Sequence, residues 1–228
     1  MNSSVMRTRR LSKDNTYLAL KERIINIELK PGEAVQEENL AELLGVSRTP
    51  LREAIQRLEN EDFLVRLPNG RLRVASVTTE EVKEIFLIRS MLEGYIAKNA
   101  AKNATEQDIE KLTAMIGNLK MSFQSGKSQD FVSYGFEFHD YLSEISELKT
   151  FVKILNQLRD HALRYCRFVS LHGDWNQQAD EEHNLILQKI AARDEDGAEK
   201  AMQDHILSSL SAALERIEGI QAHREDGV

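Results

Sequence analysis

The side chains of this 228-residue chain that are best suited to chemistry fall into two groups. The first is Val46-Ser47-Arg48-Thr49-Pro50-Leu51-Arg52-Glu53-Ala54-Ile55, where two arginines and a threonine open a short amphipathic helix. Arginine donates in a bidentate way to guanine O6 and N7, and the positive end of a helix favours phosphate. Arg48, Thr49 and Arg52 are therefore candidates for reading double-stranded DNA. The second group is His139, His183 and His205, each on an apolar helical stripe. His139 lies with Phe138 and Leu142, His183 with Ile186, Leu187 and Ile190, and His205 with Ala201, Met202 and Ser209. Three neutral imidazoles converging from three helices form a ligand set for a divalent metal ion, zinc first, with nickel or manganese as alternatives. Taken singly, each also fits a hydrogen-bonded core histidine.

The elements that must position these residues follow from local signals. Ser47 is an N-cap residue and Pro50 sits in the first turn, where a missing N–H does no harm. Leu51, Ala54, Ile55 and Leu58 then define a buried stripe. Upstream, Glu38-Asn39-Leu40-Ala41-Glu42-Leu43-Leu44-Gly45 reads as a short helix closed by glycine, which gives helix-turn-helix spacing. Downstream, residues 63–74 read as two strands around Pro68-Asn69-Gly70, a hairpin carrying Arg66, Arg71 and Arg73. A basic hairpin behind a recognition helix is a wing, so Asn69, Gly70 and Arg71 join the DNA-contact candidates. The alternative is a small structural three-helix unit with solvated arginines.

Beyond Thr79 there is no further strand pattern and no proline, the three prolines being at 31, 50 and 68. Helical periodicity appears near 79–102, 105–124, 128–145, 148–171, 177–192 and 195–218, and short connections between such helices give an antiparallel bundle. The fold class is thus mainly α: a winged helix-turn-helix over 15–77 and an all-α bundle over 78–220. They are flanked by a flexible basic segment (1–14, with Arg7, Arg9 and Arg10) and a polar tail (221–228). Charge is divided the same way. Residues 1–77 hold 13 Lys and Arg against 11 Asp and Glu, while 78–228 hold 17 against 26. Such a chain approaches DNA with its first domain foremost. The single cysteine, Cys166, excludes an intrachain disulfide, and there is neither an apolar run long enough for a membrane span nor a signal peptide, so the expected location is cytoplasmic.

Leu40 to Gly70 resembles the winged helix-turn-helix of the GntR family of bacterial transcription regulators, and Gly-Val-Ser-Arg-Thr-Pro-Leu-Arg-Glu-Ala is close to that family's signature. The residues that carry over are Arg48, Thr49, Arg52 and Gly70. Glu38 departs from the pattern, standing where some members carry an arginine for DNA. Phe138-His139, Glu182-His183 with Ile186-Leu187, and Met202 with His205-Ile206 resemble the effector domain called FCD. Six helices suggest its smaller, vanillate-regulator-like branch. The resemblance implies a homodimer on a palindromic operator, probed by the winged domains and controlled by a small carboxylate effector in the bundle.

Metal-binding FCD domains usually put an aspartate four residues before the first histidine, and here that position is Gly135. Three histidines are still expected to hold a metal, more weakly or with a more open coordination sphere. Glu137, two residues from His139, is expected to face away. Arg89 corresponds to an arginine at the start of the FCD domain and suits an effector carboxylate, with a salt bridge to Glu93 as the equal alternative. Arg164 is a further effector candidate, weaker because so charged a helix normally has a solvated face, and the same holds for Arg167. His161, His172 and His223 show no partner pattern. Two rival readings are a metal-dependent hydrolase using the three histidines and an effector-independent DNA-binding protein. Against the first, no nucleophile motif appears and Glu182, beside His183, is expected to project elsewhere.

Overall fold

The computed structural model describes residues 13–170 and 176–225, and the chain divides into two units between Val77 and Thr78. The first unit runs α1 (Lys13–Ile25), β1 (Ala34–Val35), α2 (Glu37–Leu44), α3 (Arg48–Asn60), β2 (Leu64–Arg66) and β3 (Leu72–Val74). Gly45 ends α2 in the left-handed conformation, φ 64°, and its N–H reaches the carbonyls of Ala41 and Glu42. That reversal needs glycine for its backbone angle, because open space surrounds the position a Cβ would take. Ser47 adopts the extended N-cap conformation before α3, yet its side chain makes no cap hydrogen bond. Pro50 occupies the third helical position and so removes one of the two N–H donors from which an N-cap oxygen would accept.

Leu51, Ala54, Ile55 and Leu58 are buried on α3, packing with α1. The hairpin pairs Leu64 with Val74 and Arg66 with Leu72, so Leu64, Leu72 and Val74 face the core and Val65 and Arg73 face out, while Arg66 lies on the core side at the exposed end of the strand, against Glu37 and Glu59. Leu67 to Gly70 form the turn, with Gly70 N–H on the Leu67 carbonyl at 2.8 Å and Gly70 at φ 79°. Helix α1 and strand β1 have no counterpart in the sequence reading. β1 is two residues long, below the length at which alternation is visible, and exists by pairing with β3 in a sheet of order β1-β3-β2.

The second unit consists of α4 (Thr79–Asn103), α5 (Glu106–Gln124), α6 (Ser128–Ser146), α7 (Lys149–Ser170), α8 (Asn176–Ala191) and α9 (Glu195–Glu225). Thr78 caps α4 by accepting from Glu81 N–H, and Thr105 with Asp108 forms a reciprocal capping box on α5. α4 is the central helix, in contact with α6, α7, α8 and α9. Its small residues Ala97, Ala100 and Ala101 are fully buried and allow close approach. α9 continues to Glu225, through most of the segment read from sequence as a tail, because helix propensity there needs no proline or glycine break until Gly227. The basic N-terminal arginines and the His172-Gly173-Asp174 break lie outside the described residues. No described helix is long and apolar enough to cross a membrane.

Candidate metal centre and DNA-reading face

His139 comes from α6, His183 from α8 and His205 from α9, and all three are buried. Their candidate ligand atoms lie within 4.8 Å of one another. Each ring turns its Nδ1 towards an oxygen. His139 Nδ1 donates to Glu93 Oε2 at 2.5 Å, His183 Nδ1 to the Ala179 carbonyl at 2.6 Å, and His205 Nδ1 to Glu182 Oε2 at 2.8 Å. A neutral imidazole that donates through Nδ1 keeps a lone pair on Nε2, the tautomer that outer oxygens impose on metal-ligating histidines.

The Nε2 atoms of His139 and His183 are 3.3 Å apart. Two nitrogens bonded to one zinc at about 2.05 Å and the tetrahedral angle stand about 3.3 Å apart, so this pair fits a shared ion. Burial, then the charges of His205 and His139, push His183 well below the ordinary histidine range. Burial also lowers His205, against the pull of Glu182. Both rings are therefore neutral and ligand-competent at pH 7. On donor type, tautomer and spacing, these residues fit a divalent ion.

The surroundings decide what else the site can do. The three histidines, Arg89, Gly135 and Cys166 line a cavity of about 30 Å³, room for an ion and about one water. A Cβ at Gly135 would stand 3.4 Å from His183 Nε2, so a carboxylate there would enter the cavity. Glu137 is exposed, and among the described residues the ligand group is the three histidines alone. The site thus holds open positions where an aspartate would close one.

Arg89 is buried, lines this cavity and donates through Nε to Glu93 Oε1 at 2.6 Å. The salt bridge and the cavity position are both realised. Burial alone would raise the Glu93 carboxyl, but Arg89 and then His139 outweigh it and hold it at about 2. Arg89, Glu93 and His139 form one buried chain from α4 to α6.

On the first unit, Arg48, Thr49 and Arg52 are exposed at the start of α3, and Asn69, Gly70 and Arg71 are exposed at the hairpin tip. Asn69 Oδ1 accepts from Arg71 N–H at 3.1 Å, which fixes the turn. The arginines have acidic neighbours. Arg48 lies 3.4 Å from Glu38, Arg52 Nε donates to Glu37 at 3.0 Å, and Arg66 contacts Glu59 at 2.9 Å and Glu37 at 3.6 Å.

Residues 12–74 match the model of bacterial regulatory proteins of the gntR family, and residues 84–208, more than half of the chain, match the FCD domain. The chain belongs to the GntR family, with an FCD domain. It is similar to the Nta operon transcriptional regulator of Aminobacter aminovorans, 29% identical over 199 residues that cover 86% of this chain and 91% of the relative. It is also similar to the uncharacterized HTH-type transcriptional regulator YdhC of Bacillus subtilis, 26% identical over 206 residues and 90% of each chain. Among solved structures, that of Escherichia coli McbR/YncC shares the fold, with a TM-score of 0.77 at 23% identity over 91% of this chain and 99% of that one. The protein is a DNA-binding transcriptional regulator of this family and not an enzyme.

Sequence reasoning missed two residues of this GntR-family regulator. Glu93 appeared only as a partner for Arg89, and its second oxygen serves His139 from another helix. Glu182 was expected to project away from the site. Neighbouring residues on a helix diverge by about 100°, and this turns Glu182 towards α9, where it meets His205, while His183 faces the cavity. Arg164 is buried rather than solvated, with 1% exposure, and burial lowers its pKa. It is not among the residues lining the histidine cavity. His161, which shows no pattern in sequence, lies 3.6 Å from Glu81. The available signal for Glu93 and Glu182 was an acid at a core-facing helical position.

Proposed function

We propose that this regulator binds a palindromic operator as a homodimer and responds to a small carboxylic acid sensed in the helical unit through a divalent ion, zinc in first place. The carrying observation is the set of three Nδ1-anchored imidazoles whose candidate ligand nitrogens lie within 4.8 Å of one another, beside a buried arginine and, among the described residues, with no carboxylate in the ligand group. His139, His183 and His205 would hold the ion. When bound, it gives the pocket a Lewis-acidic docking point for a carboxylate, and Arg89 supplies a second cationic contact.

A cavity of about 30 Å³ does not admit an acid of several heavy atoms without expansion. Effector entry therefore moves the helices around the cavity, α4 among them, and α4 follows directly on the DNA-reading unit in the chain. Differential affinity for the expanded state would shift the arrangement of the two heads and relieve repression. Arg48, Thr49 and Arg52 would read the major groove, with Asn69, Gly70 and Arg71 of the wing beside the minor groove. Homodimerisation is supported by a stripe on α4, Leu87, Ile88 and Met91, that is exposed among the described residues, with Met91 at 67%.

The test is elemental analysis of the purified protein, joined to a thermal-shift screen of small carboxylic acids with and without zinc, nickel or manganese. A bound metal and acid shifts that require it are expected. Metal-free protein whose acid response ignores added metal would overturn the metal-dependent reading.

A further inference from the structure

The DNA-reading face carries an acid that neither folding nor the metal centre uses. Glu38, in the first turn of α2, places its carboxylate 3.4 Å from the guanidinium of Arg48, and the two side chains are 66% and 70% exposed. An exposed pair of this kind contributes little to stability. Its neighbour Glu37 differs, since it is 25% exposed and contacts both Arg52 and Arg66, joining recognition helix to wing. Among the described residues Glu38 pairs with Arg48 alone, at a distance too long for a tight hydrogen bond, so both partners can turn outward. An acid on a face meant for phosphates is repelled unless it meets a donor. In the major groove, cytosine offers one through its N4 amino group.

We propose that Glu38 is a specificity-determining residue that reads DNA together with Arg48, the guanidinium on guanine O6 and N7 and the carboxylate on the N4 amino group of the cytosine paired with it. The inference rests on the assignment of α3 as the recognition helix. The two side chains then satisfy the major-groove groups of both bases of one G·C pair. Where the cytosine is replaced by thymine or guanine, the carboxylate faces carbonyl or ring-nitrogen acceptors and is repelled, so Glu38 also excludes wrong sequences.

The experiment selects bound duplexes from a random-sequence pool with the full-length chain, its Glu38→Ala variant and its Glu38→Arg variant, followed by affinity measurements on the enriched duplex. Glu38 is exposed, and circular dichroism checks that each variant keeps its helices. The parent should enrich a G·C pair at one position of each half-site. Changing that pair to A·T should weaken both proteins, because each loses the Arg48–guanine contact, and should weaken the parent about threefold or more beyond Glu38→Ala. Glu38→Arg should lose the preference for this pair, because its guanidinium meets the cytosine amino group donor to donor. Identical enriched sequences and identical base-pair penalties for all three proteins would overturn the role of Glu38 while leaving the DNA-reading assignment intact. A parent that enriches no sequence would overturn both.

Discussion

Replacing Glu93 by glutamine keeps the shape of the side chain and removes its charge. In the parent, Oε1 accepts from Arg89 at 2.6 Å and Oε2 from His139 at 2.5 Å, and only 3% of the residue is exposed. Glutamine offers one acceptor oxygen and an NH₂ group, so one of two buried donors must face another donor. Each charge-assisted bond is worth about 1.5–3 kcal/mol, and leaving Arg89 buried without its counter-charge costs about 3–5 kcal/mol. Glu93→Gln should therefore destabilise the metal-free protein by about 3 kcal/mol, a fall in Tm of about 10 °C for a chain of this size. The same change frees His139 to rotate. Loss of an outer partner of a ligating histidine typically weakens metal binding about 10–100-fold. The assay is zinc titration calorimetry on metal-stripped full-length protein, run beside thermal unfolding. Arg89→Met is the control, since it leaves the His139–Glu93 bond in place and should lose stability while keeping zinc affinity within about threefold of the parent. If Glu93→Gln binds zinc as tightly as the parent, Glu93 does not position His139 and the reasoning fails.

Four further outcomes can be checked. The double substitution His183→Ala with His205→Ala should abolish metal retention while preserving the helical spectrum, and equal metal content in variant and parent would refute the site. Gly135→Asp should tighten zinc binding at least tenfold, because its carboxylate enters beside His183 Nε2, and should lower the stability of the metal-free protein by burying a charge; competition with a chromophoric chelator measures the first and unfolding the second. Arg52→Ala should weaken binding to a selected operator about tenfold or more and leave metal content and oligomeric state unchanged, with undiminished affinity removing it from the readout set. Met91→Glu should convert the proposed dimer to monomer in analytical ultracentrifugation, and a variant that sediments as a dimer like the parent would locate the interface away from α4.

Much of the architecture is legible in the residues because its signals are local. The α3 stripe of Leu51, Ala54, Ile55 and Leu58, the glycine stop at Gly45, the Pro68-Asn69-Gly70 turn and the boundaries near Thr78 and Thr105 each depend on neighbours a few positions away. Helical period, cap chemistry and turn geometry act over that range. The missed elements are those without such a signal: β1 has two residues and is defined by its partner, and α1 is weakly amphipathic and caps no visible motif.

The histidines show the same division. Their inward direction follows from apolar neighbours at helical spacing, and their residue type makes a metal the natural guest, so the sequence alone determined the family, the two-part organisation and the three candidate ligands. It could not determine that His139 and His183, 44 positions apart, bring Nε2 atoms to 3.3 Å, nor that Glu93 and Glu182 accept from Nδ1 of two of the three rings. Those contacts depend on how far each helix is rotated about its axis when packed, and on which rotamers survive in a close-packed interior. The pairing of Glu38 with Arg48 across the helix-turn-helix has the same origin. Period and chemistry are written along the chain, whereas the meeting of side chains from different helices is decided only when those helices have closed on one another.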